Sequence, residues 1–215
     1  MDKQQEQAIN YYDKFSAIYD WISSRAYYRK PREYAIRELE LKPGQLILNV
    51  PCGTGQNFEY FQEHLSGSGK IVGVDLSGGM LGKARQKIAS HHWNNIELFL
   101  RDVTTLDKNW VENQLGKGVA FDAILCDLGL SGFPQWQQVI DNLLSLLKPG
   151  GKLVIMDWYL AAPTWRGRFI AWVGKGEVDR PLYQYLEKKV TDFKVNTSFK
   201  KGEMFVASGK KSKSV

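Results

Sequence analysis

Residues able to do chemistry fall in three places along this 215-residue sequence, each at the end of a short apolar run. The loop Val50-Pro51-Cys52-Gly53-Thr54-Gly55 comes first; its glycines let the backbone approach a ligand closely and turn amides toward it. Asp75 follows 22 positions after Gly53, a spacing at which a carboxylate can accept from the two hydroxyls of a ribose. Asp102 is the third and could accept from an adenine amino group. A tight turn would explain a lone Gly-Thr-Gly, and a cap would explain a lone aspartate. Three such residues, in order at three strand ends, read jointly as a nucleoside site. A dinucleotide fingerprint needs G-x-G-x-x-G, and here Phe58 stands where the third glycine belongs. No Lys-Ser or Lys-Thr pair follows, which excludes a P-loop. The expected ligand lacks a pyrophosphate.

Strands and helices must alternate to bring these loops together. Tyr11, Phe15, Ile18 and Ile22 recur at helical spacing, and a second helix over residues 32–41 stops at Lys42-Pro43-Gly44. Apolar runs at 45–50, 71–74, 96–100, 121–126 and 153–156 read as strands. Between them, Phe58, Phe61 and Leu65 mark one helix. Ser77 caps another, with Met80, Leu81, Ala84 and Ile88 inward. A further helix follows Pro134, with Val139, Ile140, Leu143, Leu144 and Leu147 on its core side, and stops at Lys148-Pro149-Gly150-Gly151. Residues 191–199 and 203–208 flank Lys200-Lys201-Gly202 as an antiparallel hairpin. The expected fold is α/β: a Rossmann-like doubly wound sheet of five parallel strands plus a C-terminal hairpin, with helices on both faces. One domain spans 1–215, divided into an N-terminal helical extension (1–42), a ligand-binding core (45–158), a helical region (159–190) and the hairpin (191–210).

Composition narrows the class. Two cysteines, Cys52 and Cys126, are too few for a disulfide framework, and three histidines without ligand spacing make no metal site. Both cysteines read as packed small residues. The polar start MDKQQEQAIN is no secretory signal, and no apolar run reaches membrane-span length, so a cytoplasmic protein is expected. The net charge of +6 is localised: residues 193–215 carry +5, leaving +1 for the rest. That lysine-rich end reads as a solvated terminus, with peripheral contact to an anionic membrane as the alternative. Nucleic acid is not an expected partner, because the body has no basic groove signature.

The segments 48–55, 73–81, 101–102, 121–127 and 147–151 together resemble the successive motifs of class I S-adenosylmethionine-dependent methyltransferases. Within that superfamily, Tyr12-Asp13-Lys14-Phe15-Ser16-Ala17-Ile18-Tyr19-Asp20 is similar to the N-terminal segment of quinone-biosynthesis C-methyltransferases and bacterial phospholipid N-methyltransferases. The resemblance implies S-adenosyl-L-methionine as cofactor, no metal, and an N-terminal helical lid closed by Tyr12 and Tyr19. It places Gly53 and Gly55 beside the methionyl part, Asp75 on the ribose hydroxyls, and Leu76 or Met80 on the adenine face. Asp102 with Val103 would read the adenine edge, and Asp127 with Leu128 would lie near the sulfonium and the amino group. The family usually carries an acidic residue at position 49 and a small one at 51; this sequence has Asn49 and Pro51. Those two departures leave open a non-catalytic cofactor-binding subunit or regulator. A nicotinamide-dependent oxidoreductase is the remaining alternative, opposed by Phe58.

Methyl transfer from a sulfonium needs positioning more than proton transfer, because the leaving group needs no proton. Where the acceptor must lose a proton, Asp127, Asp157, Tyr19, Tyr159 and Tyr183 are the candidate bases. The acceptor should meet residues 1–30, 128–136 and 158–185. The last stretch includes Trp158, Trp165, Arg168, Phe169 and Trp172, rings and cations that suit a small-molecule or lipid-like acceptor or a helix covering the sheet edge. The oligomeric state is left open.

Overall fold

The apolar runs form strands because β-branched and leucine side chains can be buried on both faces of a parallel sheet. A computed structural model describes residues 25–160 and 179–213. The sheet contains β1 (Leu46–Asn49), β2 (Lys70–Asp75), β3 (Ile96–Leu100), β4 (Phe121–Asp127), β5 (Leu147–Trp158), β6 (Thr191–Phe199) and β7 (Met204–Lys210). The helices are α1 (Arg25–Glu38), α2 (Phe58–Leu65), α3 (Gly78–Ser90), α4 (Lys108–Leu115), α5 (Trp136–Leu146) and α6 (Leu182–Glu187).

The strand order is β3-β2-β1-β4-β5-β7-β6. The first five strands in sequence pair in parallel, with Ile47 opposite both Ile71 and Ala123. β7 then inserts antiparallel beside β5, Met156 opposite Val206, and β6 pairs with β7 at the margin. Strand alternation divides the core. Leu48, Val72, Ile124 and Ile155 face α5 and α6 through Val139, Leu143, Leu182 and Leu186. Ile47, Ile71, Ala123 and Val154 face α1, α2 and α3 through Ile36, Phe61 and Leu81. The order reverses between β1 and β4, where a doubly wound sheet opens a crevice at the carboxyl ends of its strands.

Several boundaries differ from the sequence reading. α1 ends at Glu38, and Glu40 is left-handed at φ 53°, so the helix stops short of Leu41. Of the expected lid, the described part is α1, which packs on the sheet through Ala35 and Ile36; Tyr12 and Tyr19 lie outside the described residues. Leu147 is buried as expected but belongs to β5, opposite Phe121, with a bulge before Ala123 meets Lys152. α4 was not expected: Asp107 caps it, its Oδ1 accepting from the Trp110 amide at 2.7 Å, and Val111 alone is buried. The residues of the aromatic–arginine stretch from Trp165 to Trp172 lie outside the described residues.

The lysine-rich end is not a free terminus. β7 runs to Lys210, two residues past the expected boundary, and pairing continues through the Lys211 amide to the Gly151 carbonyl. Lys210 meets Asp192 at 2.9 Å and Lys194 meets Glu38 at 3.7 Å. Lys200 sits on the Tyr27 ring, and Lys211 Nζ donates to the carbonyls of Ser145 and Leu147 at the end of α5. Partial burial pulls the Lys211 amine below its ordinary range. Lys194, Lys200, Lys210 and Lys211 are thus each held by another part of the chain. No helix among the described residues is long and apolar enough to cross a membrane.

Candidate active site

The loop after β1 bends back over the sheet and is tied to β2 by a carboxylate. Cys52 donates its amide to the Val74 carbonyl at 2.9 Å, and the Gly53 amide donates to Asp75 Oδ2 at 2.8 Å. Asp75 Oδ1 accepts from the Ser77 amide at 2.9 Å, while Ser77 Oγ caps α3 by accepting from Met80 at 3.1 Å. One carboxylate therefore fixes the glycine loop and the start of α3 together. Burial pushes the Asp75 carboxyl up to about 6, opposed by the Ser77, Gly53 and Leu76 amides. Gly53 and Gly55 both hold positive φ. At Gly55 a Cβ would also meet the Phe58 ring at 2.5 Å, so the phenylalanine that departs from the dinucleotide pattern fills the space beneath the loop.

At the ends of β1 and β4 lies a buried polar cluster. Asn49 Nδ2 donates to Asp127 Oδ1 at 3.1 Å, and Asn57 Nδ2 donates to the same oxygen at 2.9 Å and to Asn49 Oδ1 at 3.1 Å. Arg32 from α1 brings Nη2 to 3.9 Å from Asp127 Oδ2. All four residues are at most 8% exposed. Burial raises the Asp127 carboxyl, and Arg32, Asn57 and Asn49 hold it back. This cluster accounts for the departure at position 49. A second carboxylate there would face Asp127, whereas the amide of Asn49 hydrogen-bonds to it, so the negative charge sits on the neighbouring strand. Pro51 has a counterpart too: a Cβ on Gly129 would lie 2.5 Å from Pro51 Cδ, so the two loops close against each other at a glycine. Leu128, beside it, is held at φ 57°, an unfavourable backbone for leucine.

The other expected residues fall around this crevice. Met80 is buried and Leu76 half-buried at the start of α3. Asp102 Oδ1 accepts from the Thr104 amide at 2.9 Å, and Val103 is buried beside it. Asp157, proposed as a base, instead holds three donors: the Ser131 amide at 3.0 Å, Ser131 Oγ at 2.9 Å and its own neighbour's amide, Trp158, at 2.8 Å. It anchors the loop after β4, and burial pushes its carboxyl up to about 6. Tyr159 packs edge-on against Tyr183, which leans on Phe205. Tyr28 meets Trp158 edge-on, and burial raises its phenol well above the ordinary range. Cys52 and Cys126 are buried, and burial pushes both thiols up, as packed residues should behave. Among the described residues, no group of histidines, cysteines and carboxylates could hold a metal. Arg32 and Asn57 were missed by the sequence reading. An arginine on a helix gives no sign of burial, and Asn57 reads as an ordinary loop residue before α2.

A methyltransferase domain family matches residues 48–153. Among curated proteins, the demethylmenaquinone methyltransferase of Oceanobacillus iheyensis is 26% identical over 211 residues, 93% of this chain and 83% of that protein. The Bacillus cereus protein of the same name is 28% identical over 71% of this chain, which spans 62% of its length. Among solved structures, the phosphoethanolamine N-methyltransferase 2 of Haemonchus contortus, in complex with S-adenosyl-L-methionine, superposes with a TM-score of 0.74 at 13% identity, covering 93% of this chain and 57% of that one. A sheet ordered 3-2-1-4-5-7-6, a glycine loop tied to the aspartate closing β2, and these likenesses mark a methyltransferase domain.

Proposed function

We propose that this chain methylates a quinone-like ring, the acceptor named for its demethylmenaquinone methyltransferase relatives. The observation that carries the site assignment is the arrangement of two buried carboxylates, Asp75 and Asp127, on either side of the glycine loop at the point where strand order reverses. The residues fit the cofactor. Beside the amides it already holds, the Asp75 carboxylate can accept from ribose hydroxyls, and the carboxylate of Asp127 suits a cationic group. Gly53 has open space where a side chain would stand, so its backbone can border the methionyl part. Leu76 and Met80 border the adenine face, Asp102 and Val103 its edge, and Leu128 lies beside Asp127. Tyr12 and Tyr19 are assigned to close the pocket.

When bound, S-adenosylmethionine supplies an electrophilic methyl group on a sulfonium. The chain's contribution is to orient the acceptor in line and exclude water. Two edge-on ring pairs lie at the end of β5 on opposite faces of the sheet, Tyr28 with Trp158 beside α1 and Tyr159 with Tyr183 beside α6, and rings of this kind suit a planar acceptor. Asp157 holds the loop bearing Ser131 in place through three donors. Asp127, among two amide donors and a guanidinium, is suited to holding positive charge rather than accepting a proton.

Incubation with methyl-labelled S-adenosylmethionine and a short-chain demethylmenaquinol is the test. Label should enter the ring. A protein that binds the cofactor but labels neither this acceptor nor its benzoquinol counterpart would refute the acceptor class. The reading as a non-catalytic subunit rested on Asn49 and Pro51, and each has a structural partner, Asp127 and Gly129 respectively.

A further inference from the structure

The two margins of the sheet are built differently. β6 breaks register twice against β7, between Thr191 and Lys194 and between Asn196 and Phe199, and Asp192 is left-handed at φ 52°. Bulges and charged residues such as these blunt a margin strand against pairing with another chain. β3 has neither device. It pairs with β2 in unbroken register, from Ile71 opposite Ile96 to Asp75 opposite Leu100. The Ile71 amide donates to the Asn95 carbonyl and the Arg101 amide to the Asp75 carbonyl, both at 2.9 Å. This parallel ladder uses residues 95, 97, 99 and 101, so the amides and carbonyls of Ile96, Leu98 and Leu100 point outward. Those groups have no partner strand among the described residues. Ile96 and Leu98 set their side chains on the face of α3, near Ile88 and Trp93, and alternation puts Leu100 on that face too. Leu100 is 61% exposed, more than any other large apolar side chain among the described residues.

We infer that this margin is the interface of a homodimer, in which β3 pairs antiparallel with β3 of a second copy about a two-fold axis at Leu98. The strand is self-complementary in that register. Leu98 faces Leu98 of the partner subunit, and Ile96 faces Leu100 of the partner subunit, so outward residues meet outward residues throughout. Every amide and carbonyl that the ladder to β2 leaves over then finds a partner. The apolar side chains meet on one face, which covers Leu100. Charge fits as well. Glu97, which meets Lys70 at 2.8 Å, stands opposite Phe99 of the partner subunit, and no like charges face each other directly. Arg101, which donates to the Thr105 carbonyl at 3.2 Å, lies diagonally from Glu97 of the partner subunit, opposite charges within reach of long side chains. A strand edge is a small interface, so the dimer is weak and concentration-dependent.

Sedimentation velocity of the full chain over a roughly hundredfold range of concentration should show monomer passing to dimer and nothing larger, because a two-fold contact closes on itself. Hydrogen exchange locates the contact. The amides of Ile96, Leu98 and Leu100 should exchange fast in the monomer and slowly in the dimer, while those of Glu97 and Phe99, bonded to β2, stay slow in both. Leu100→Lys buries an ammonium against Ile96 of the partner subunit and should weaken the dimer at least about tenfold. The side chain is exposed in one copy alone, so the fold is not at stake. Adding Ile96→Glu to Leu100→Lys sets opposite charges face to face in this register alone and should restore most of the lost affinity. A chain that stays monomeric at every concentration overturns the inference. So does a dimer that Leu100→Lys leaves unchanged, or protection of the three outward amides that does not vary with concentration, which would mean that another part of the chain covers the margin. Should the double variant not fold, the exchange pattern of the unaltered protein and the effect of Leu100→Lys decide the matter.

Discussion

Restoring an acidic residue at position 49 should damage this protein. Asn49 Nδ2 lies 3.1 Å from Asp127 Oδ1, inside a cluster shielded from water. Two unit charges at about 3 Å repel by about 5 kcal/mol at an effective dielectric of 20. The pair in Asn49→Asp can instead keep one proton. Holding a carboxyl of ordinary pKa, about 3.9, neutral at about pH 7.5 costs about 5 kcal/mol as well. The retained O–H can donate where the asparagine amide did, which recovers about 1–2 kcal/mol. The net loss at about pH 7.5 is therefore about 3–4 kcal/mol, or roughly 10 °C in Tm for a chain of this size. Near pH 5 the proton costs only about 1.5 kcal/mol and the hydrogen bond offsets most of it. The sign follows from linkage: the pair's folded-state pKa is raised, so the penalty begins above the unfolded-state value and grows as pH rises toward the folded one. Urea denaturation at about pH 5 and about pH 7.5 measures both. Combining Asn49→Asp with Asp127→Asn moves the single carboxylate across the strand pair and should recover most of the loss. A deficit under about 1 kcal/mol at the higher pH, or one equal at both, would refute this account of the cluster.

Gly129→Ala should cost about 1–3 kcal/mol by forcing a methyl group against Pro51, and less than half of that in a Pro51→Ala background; urea melts of the four proteins form the cycle. Affinity for S-adenosylhomocysteine should be flat above about pH 7 and fall toward tenfold per unit below the Asp75 pKa of about 6, because a protonated carboxyl cannot accept from both hydroxyls. A calorimetric pH series in which Asp75→Asn keeps the same slope would remove Asp75 from the ribose. Deleting residues 210–215 should lower stability by about 2–4 kcal/mol, since it removes two backbone bonds to Gly150 and Gly151 and the Lys211 contacts with Ser145 and Leu147. Unchanged thermal unfolding of the truncated protein would return the lysines to a solvated tail.

The first four strands were legible because each is a mainly apolar run leading into polar or loop residues. The site loops followed because the doubly wound topology puts strand ends together. Asp75 and the Ser77 cap could be read from type and spacing alone. Where the reading stopped, the controlling forces were not periodic. α4 buries one residue, Val111, so it has no apolar face to recognise, and its Asp107 cap stands alone as a signal. Pro149-Gly150-Gly151 reads as a break, yet in β5 it is spanned by pairing to Phe121 and then, past a bulge, to Ala123. The burial of Arg32 and the engagement of Lys211 depend on which helix meets which strand end. Neither has a local signature, and a charged side chain is ordinarily taken to face water.

The antiparallel insertion of β7 fixes the order in which the sheet can be completed. During synthesis β6 emerges before β7, but among the described strands its only neighbour is β7. β5 meanwhile presents an open row of amides and carbonyls, a template for any extended chain nearby. Strand-by-strand growth from the N-terminus must therefore halt at β5. The margin closes only when residues 204–210 reach β5 and bring β6 in as the second arm of a hairpin. A ribosome stalled between residues 199 and 204 would expose a nearly complete nucleotide-binding half with one adhesive edge, the state most exposed to misassembly with a neighbouring nascent chain.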